Sequence, residues 1–431
     1  MGEAVNGSRI SQEEIERIIS LANNIASEDN HLKLIEIAKQ SSAHADHVAK
    51  CAVHVLREEK NYDKCTEVLI ALGEIGAAHL CGSLRDPARR KISKEIIIKI
   101  GPEKTANQVV GVLRDPECKG VVKEILKEFG PDKTANLIVG ALASPEQREA
   151  AKEMLIIFGP DKTANLVVGV LEDPERREAV KEILKEFSPD KTANLVVVAL
   201  RNPKQREAAK EILLKFGPEK TASPLVAALF DPEQREAAKE ILLKFGPDKT
   251  ANLVVGALRD PVQRGAAKEI LLKFGPEKTA NLVVGALRSQ AQREAAKEIL
   301  LKFGPEKTAH FVMGALGDPQ CGEAAKEILI GFGKQNIKSV AFKLMRALAE
   351  EERRDAAVEV LSKLGPPVLR SMELFKSTDS FNRLPLFRII RGNVLAAREH
   401  NSVGHDFRVN GPAANCGRPG NMRPNTLRRA L

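Results

Sequence analysis

Residues 231–258 read DPEQREAAKEILLKFGPDKTANLVVGAL, and the two prolines in that stretch, each with the residue before it, decide how the chain folds. Asp231 stands before Pro232, and Gly246 before Pro247. Aspartate is a helix N-cap, proline is tolerated at the first helical position, where its missing N–H costs nothing, and glycine ends a helix in the left-handed C′ conformation. The stretch therefore predicts a helix over 232–245, a break at Gly246 and another helix over 247–258, with the next unit continuing over 261–274 behind Asp260. Along 232–245, Arg235, Ala238, Ile241, Leu242 and Phe245 fall on one face at i, i+3, i+4 and i+7 type spacing and are expected to form the core side.

The same punctuation recurs across most of the 431 residues. Phenylalanine stands at 129, 158, 187, 216, 245, 274, 303 and 332, always 29 residues apart, with Ile100 one unit earlier. Gly-Pro follows it at 101, 130, 159, 217, 246, 275 and 304, with Ser188-Pro189 as a variant, and Asp-Pro or a relative opens the second helix at 86, 115, 144, 173, 202, 231, 260 and 318. Ser289-Gln290 breaks that rule once. A lone 29-residue hairpin must order its residues at about 1.5 kcal/mol each, more than a handful of aliphatics worth about 1.5–3 kcal/mol apiece can offset. The units must stack, which predicts an all-α superhelix, an α-solenoid of two-helix repeats.

The helix, the short Asp-Pro turn and a second helix opening with Arg and Ala-Ala, as in DPEQREAAKEILLKF at 231–245, resemble a HEAT/armadillo-like repeat, including the phycobilisome-lyase type. The resemblance covers roughly residues 70 to 375. It implies that second helices line a concave surface, and it is specific for architecture, because such arrays serve transport, signalling, chromatin and lyase roles alike.

The ends depart from the regular pattern. We expect divergent helical repeats or a cap over 1–72, the regular array over 73–332, a degenerate repeat and cap over 333–376, and an Arg-rich disordered tail over 377–431. The formal charge of +9 is concentrated there: residues 366–431 hold eleven Lys plus Arg against four Asp plus Glu. Six widely spaced cysteines show no zinc or disulfide-framework spacing. No stretch offers ~20 consecutive apolar residues for a membrane span, and the expectation is a soluble, cytoplasmic protein.

A fixed register turns each place in the unit into a row. The lysine row (Lys94, Lys123, Lys152, continuing through Lys326) and the glutamate row that follows it (Glu95 through Glu327) read as a solvated face with i, i+4 pairs such as Glu240 with Lys244. The Arg row from Arg90 to Arg293 is expected to bond neighbouring turns, their Asp residues included. The Asn row on the first helix (Asn107, Asn136, Asn165, Asn194, Asn252, Asn281) is expected to be buried amides bonded between units; His310 replaces it once as local drift. Two residues before the Phe ruler, Lys127 and Lys185 give way to Leu214, Leu243, Leu272, Leu301 and Ile330, flanked by Lys215, Lys244, Lys273 and Lys302. Such a stripe is either ordinary core or an apolar groove for a partner segment with aliphatic anchors and acidic flanks.

Catalytic signatures do not surface. No P-loop, dinucleotide fingerprint, nucleophile elbow or HExxH motif occurs, and neither do the His-Glu dipeptides that hold iron in a HEAT-like hydroxylase. KEILLKFGPEKT recurs verbatim at 210, 268 and 297, whereas an active site needs unlike groups converging on one point. We expect no cofactor and no metal. The favoured reading is a protein-binding scaffold. The alternative is a nucleic-acid-associated protein whose tail (Arg383, Arg388, Arg391, Arg398, Arg418, Arg423, Arg428, Arg429) grips phosphates. A lyase or chaperone for a prosthetic group rests on the resemblance alone.

Overall fold

Proline and its preceding residue set the helix boundaries throughout. In the computed structural model, which describes residues 10–27, 29–365, 367, 368 and 371, 24 α-helices and four short 3-10 turns follow one another with no strand among the described residues. Asp86, Asp173, Asn202, Asp231 and Asp260 each accept the N–H two residues on, at 2.8–3.0 Å, and so satisfy one of the donors a helix start leaves unpaired. Pro232–Phe245 and Pro247–Ala257 are the two helices of the stretch quoted first, and Pro261–Phe274 follows.

The glycine between helices differs from the expected left-handed cap. Gly101, Gly130, Gly159, Gly217, Gly246, Gly275 and Gly304 have φ of 75–88° but ψ of 164–170°. Proline is the physical reason: it keeps the residue before it out of helical ψ, so the reversal uses a region that is essentially glycine-only. Ser188 cannot go there. It takes φ −58° and ψ 126°, and Phe187 leaves the helix at φ −74° and ψ 144°, so that helix stops at Glu186.

First helices pack on the first helices of adjacent units, and second helices on second helices. In one unit the interior is Ala237, Ala238, Ile241 and Leu242 from the second helix, with Ala251, Val254, Val255 and Leu258 from the first. Two members of the expected core face are corrected. Arg235 lies at its edge, half-buried, and Phe245 is also half-buried although its angle suits the core, because it ends the helix where the neighbouring hairpin no longer covers it. Of the Phe ruler only Phe187 and Phe332 are buried, the former because its helix ends early.

The chain divides into two compact units, residues 1–279 and 280–431. Within the first, Gln12–Asn23, Asn30–Ala38, Ser42–Val55 and Tyr62–Leu72 precede the regular hairpins. Within the second, Ile337–Ala347 and Glu351–Leu364 form the last helix pair. Among the described residues no helix is long and apolar enough to cross a membrane. The architecture is an all-α, HEAT-like solenoid.

Candidate partner-binding surface

Second helices carry a ladder of ion pairs that ties one unit to the next. The lysine row is not a solvated face. Lys94 bonds Glu124, Lys123 bonds Glu153, Lys152 bonds Glu182, Lys181 bonds Glu211, Lys210 bonds Glu240 and Lys239 bonds Glu269, always in the following unit. In the second compact unit Lys297 bonds Glu327 and Lys326 bonds Glu359. Lys239 is the most covered of these, its side chain only 10% exposed, because its stem lies along the neighbouring helix. Glu240 therefore pairs with Lys210 and not with Lys244 as expected from i, i+4 spacing. Hydrogen bonding to Lys210 and Lys239 holds the Glu240 and Glu269 carboxyls below their usual range, and the bond to Glu269 raises Lys239.

First helices run a ladder in the opposite sense. Lys162 reaches back to Asp132 at 3.0 Å, Lys191 to Asp161 at 2.6 Å and Lys249 to Glu219 at 2.8 Å. Both members of each pair are largely exposed, so these add little.

The Arg row bonds its own turn and, at Arg206 and Arg293, also the turn of the next unit, where Nη2 donates to the carbonyls of Glu233 and Gln320 at 3.3 and 3.1 Å. The Nε of Arg148, Arg206, Arg235 and Arg293 donates to the carbonyls of Leu142, Leu200, Leu229 and Leu287 at 2.9 Å. The aspartates of the turns take a different arginine, one unit back: Arg201 pairs with Asp231 and Arg288 with Asp318, at 2.5 and 2.8 Å. Where the capping residue is Asn202, its amide donates to Glu172 instead, at 3.2 Å. Charge at one turn is matched by its complement at the next.

The Asn row is exposed at all six positions, which corrects the expectation of buried amides. The buried polar row is threonine: Thr105, Thr134, Thr163, Thr192, Thr221, Thr250, Thr279 and Thr308 have no exposed surface. Their hydroxyls donate to the carbonyl four residues back, as Thr250 does to Gly246 at 2.8 Å. Two residues along a helix turn the side chain by about 200°, so a buried Thr250 puts Asn252 outside. An uninterrupted threonine in eight units was the signal for this row.

Leu214, Leu243 and Leu272 are half-buried, and the lysines beside them, Lys215, Lys244 and Lys273, are exposed. In the second compact unit Leu301 and Ile330 are half-buried and Lys302 is exposed. Ile98 and Ile156 share the same register, Ile156 being 36% exposed, so the apolar row starts earlier than the Leu run suggests. Lys185 contacts Lys215, which lowers the Lys215 pKa through that hydrogen-bond contact and like charge. A Cβ on Gly331 would meet Leu301 Cδ2 at 2.7 Å. A stripe residue thus lies beside the position 30 residues on, which sets Leu214 by Lys244 and Leu243 by Lys273.

No group of three His, Cys, Asp or Glu that could hold a metal occurs among the described residues. Burial pushes the Cys65 and Cys81 thiols up to about 12, which leaves them protonated and unreactive. His310 is exposed and lies against Phe311, ring centroids 3.8 Å apart. The tail arginines from Arg383 to Arg429 lie outside the described residues.

No family model matches this sequence, and no curated protein does. Among solved structures, Kap121p aligns over 92% of this chain and 55% of its own, at 12% identity and a TM-score of 0.23. The karyopherin Kap121p bound to the extreme C-terminus of the protein phosphatase Cdc14p aligns over 94% and 56%, at 14% identity and a TM-score of 0.23. A circular tandem repeat protein with novel repeat topology aligns over 91% and 98%, at 15% identity and a TM-score of 0.16. The chain spans little more than half the length of the karyopherins it matches. At such scores these likenesses bear on neither partner nor activity, and the HEAT-like solenoid stands on the 24 consecutive helices among the described residues.

Proposed function

We propose that the chain is a non-enzymatic scaffold that captures an extended or amphipathic segment of a protein partner along the second-helix leucine stripe. The observation that carries this is a contrast between two lysine rows on the same helices. Lys181, Lys210 and Lys239 each hold a glutamate of the next unit. Lys215, Lys244 and Lys273, one residue after the half-buried leucines, are exposed and form no ion pair among the described residues. Half-buried leucines beside exposed lysines that hold no carboxylate at ion-pair distance suit aliphatic anchors followed by acidic side chains.

The test uses the full chain with Leu243 and Leu272 both changed to Ser, and a second variant with Lys244→Glu and Lys273→Glu. Both variants should lose capture of acidic, aliphatic segments in a peptide array while melting within about 2 °C of the parent, since substitutions outside the core change stability by about 0.5 kcal/mol or less. A fall in melting temperature for the leucine variant together with unchanged capture would identify the stripe as core.

A further inference from the structure

We infer that the N-terminal hairpins carry a second, separate site: a cavity that binds a small organic anion, a carboxylate or phosphate group on an apolar body. It lies in residues 19–89 and stands or falls without the leucine stripe.

Helices Gln12–Asn23, Ser42–Val55 and Glu74–Ser83 lie side by side, and between them opens a cavity of about 690 Å³. That is within the size range of pockets that hold drug-sized molecules. Its apolar wall is Ile19, Ala22, Val53 and Ala78. Its polar wall includes five basic side chains, His47, Lys50, His54, His79 and Arg89, and no aspartate or glutamate. A polar wall with basic side chains and no carboxylate is unusual in a chain with 58 acidic residues against 67 lysines and arginines, in which the neighbouring lysine row is paired unit after unit.

Two of the five already have partners outside the wall. His79 Nε2 bonds Asp46 at 2.8 Å, which anchors that ring. Arg89 Nε lies 3.2 Å from Asp86 just as Arg176 lies 3.1 Å from Asp173 in a regular unit, so its cap role belongs to the repeat. The remaining three do not. Lys50 forms no ion pair and His54 no hydrogen bond among the described residues, and His47 Nε2 is buried without a partner. Histidine is otherwise scarce in the described array: beyond residue 79, only His310 occurs before the tail. Lys50 and the imidazole N–H donors, with no carboxylate among them, favour an anion in a low-dielectric cleft, and the aliphatic side supplies area for an attached apolar group.

The full chain, labelled with ¹³C-histidine, tests this by NMR titration with 1-naphthyl phosphate, 1-naphthoate and neutral 1-naphthol. Saturable shifts of the His47, His54 and His79 imidazoles with either anion, a still His310 and no comparable response to the naphthol are expected; which anion binds tells phosphate from carboxylate. Lys50→Gln should weaken binding by about tenfold, the loss of one charge-assisted contact, with melting temperature unchanged. His54→Gln, at an exposed position, serves should the lysine variant be less stable. Absence of a saturable shift with both anions, equal binding of the naphthol, or unchanged affinity in both variants would overturn the proposal.

Discussion

Replacing Gly246 by Ala isolates the backbone cost on which the repeat's turns depend. A Cβ added there meets nothing within 4 Å, so no steric clash contributes and the cost comes from φ 80° and ψ 170° alone. Sparsely populated backbone regions cost about 1–3 kcal/mol for a residue with a side chain. Gly256, ten residues on and inside the helix Pro247–Ala257, is the control. Its Cβ also meets nothing within 4 Å, but the helical backbone there suits alanine, so Gly256→Ala should stabilise by about 0.5–1 kcal/mol. The two changes are chemically identical and opposite in sign. A solenoid need not unfold in one step, so the assay is amide hydrogen exchange in the segment 232–260, which reads local opening of that unit. Exchange should quicken in Gly246→Ala and slow in Gly256→Ala. Two shifts in the same direction, or an unaltered Gly246→Ala, would refute the claim that Gly-Pro works through a glycine-only conformation.

Three further outcomes follow from the same contacts. Thr250→Val deletes a buried donor and should cost about 0.5–1.5 kcal/mol, whereas Asn252→Ala, on the exposed face, should fall within about 0.5 kcal/mol of the parent; urea melts followed at 222 nm separate them. At Gly76 an added Cβ would lie 2.4 Å from the backbone oxygen of Leu69, which cannot swing aside, so Gly76→Ala should destabilise by about 1–3 kcal/mol, read as a lower melting temperature. Lys210 and Lys239 hold Glu240 and Glu269 below the ordinary value of 4.5. Their contribution is complete above 4.5, where the carboxylates are charged in both folded and unfolded chains, and is lost as pH falls through the lower folded values. Melting temperature should therefore fall on acidification below 4.5, and Glu240→Gln with Glu269→Gln should blunt that fall; an acid limb identical in the double variant would show that the ladder is not its source.

What could be read without coordinates was what neighbours along the chain decide. Asp231-Pro232 and Gly246-Pro247 start and stop helices through their own caps and dihedrals, so the two-helix unit, its length and the need to stack were all legible. Rows were legible as rows, but their partners were not. Lys210 and Glu240 stand 30 residues apart, one unit and one residue, and only the direction in which hairpins lean decides whether Lys210 meets that glutamate or the one beside it. The Asn row was expected inside for a related reason: it is polar like the Thr row beside it, and polarity alone does not say which is buried.

The stripe shows where this limit falls on function. Leu243 sits about 140° around the helix from the core face by ideal geometry, and that angle is compatible with either solvent or a neighbour. Leu243 is half-buried, and Lys273, 30 residues on in the next unit, is exposed and forms no ion pair among the described residues. The same type of residue one row away, Lys239, is spent on Glu269. A repeat that duplicates both rows unit after unit keeps one set of lysines for holding itself together and leaves the other facing outward, and it is that division of roles, invisible in composition, that makes the leucine row a candidate for recognition and not merely the margin of a core.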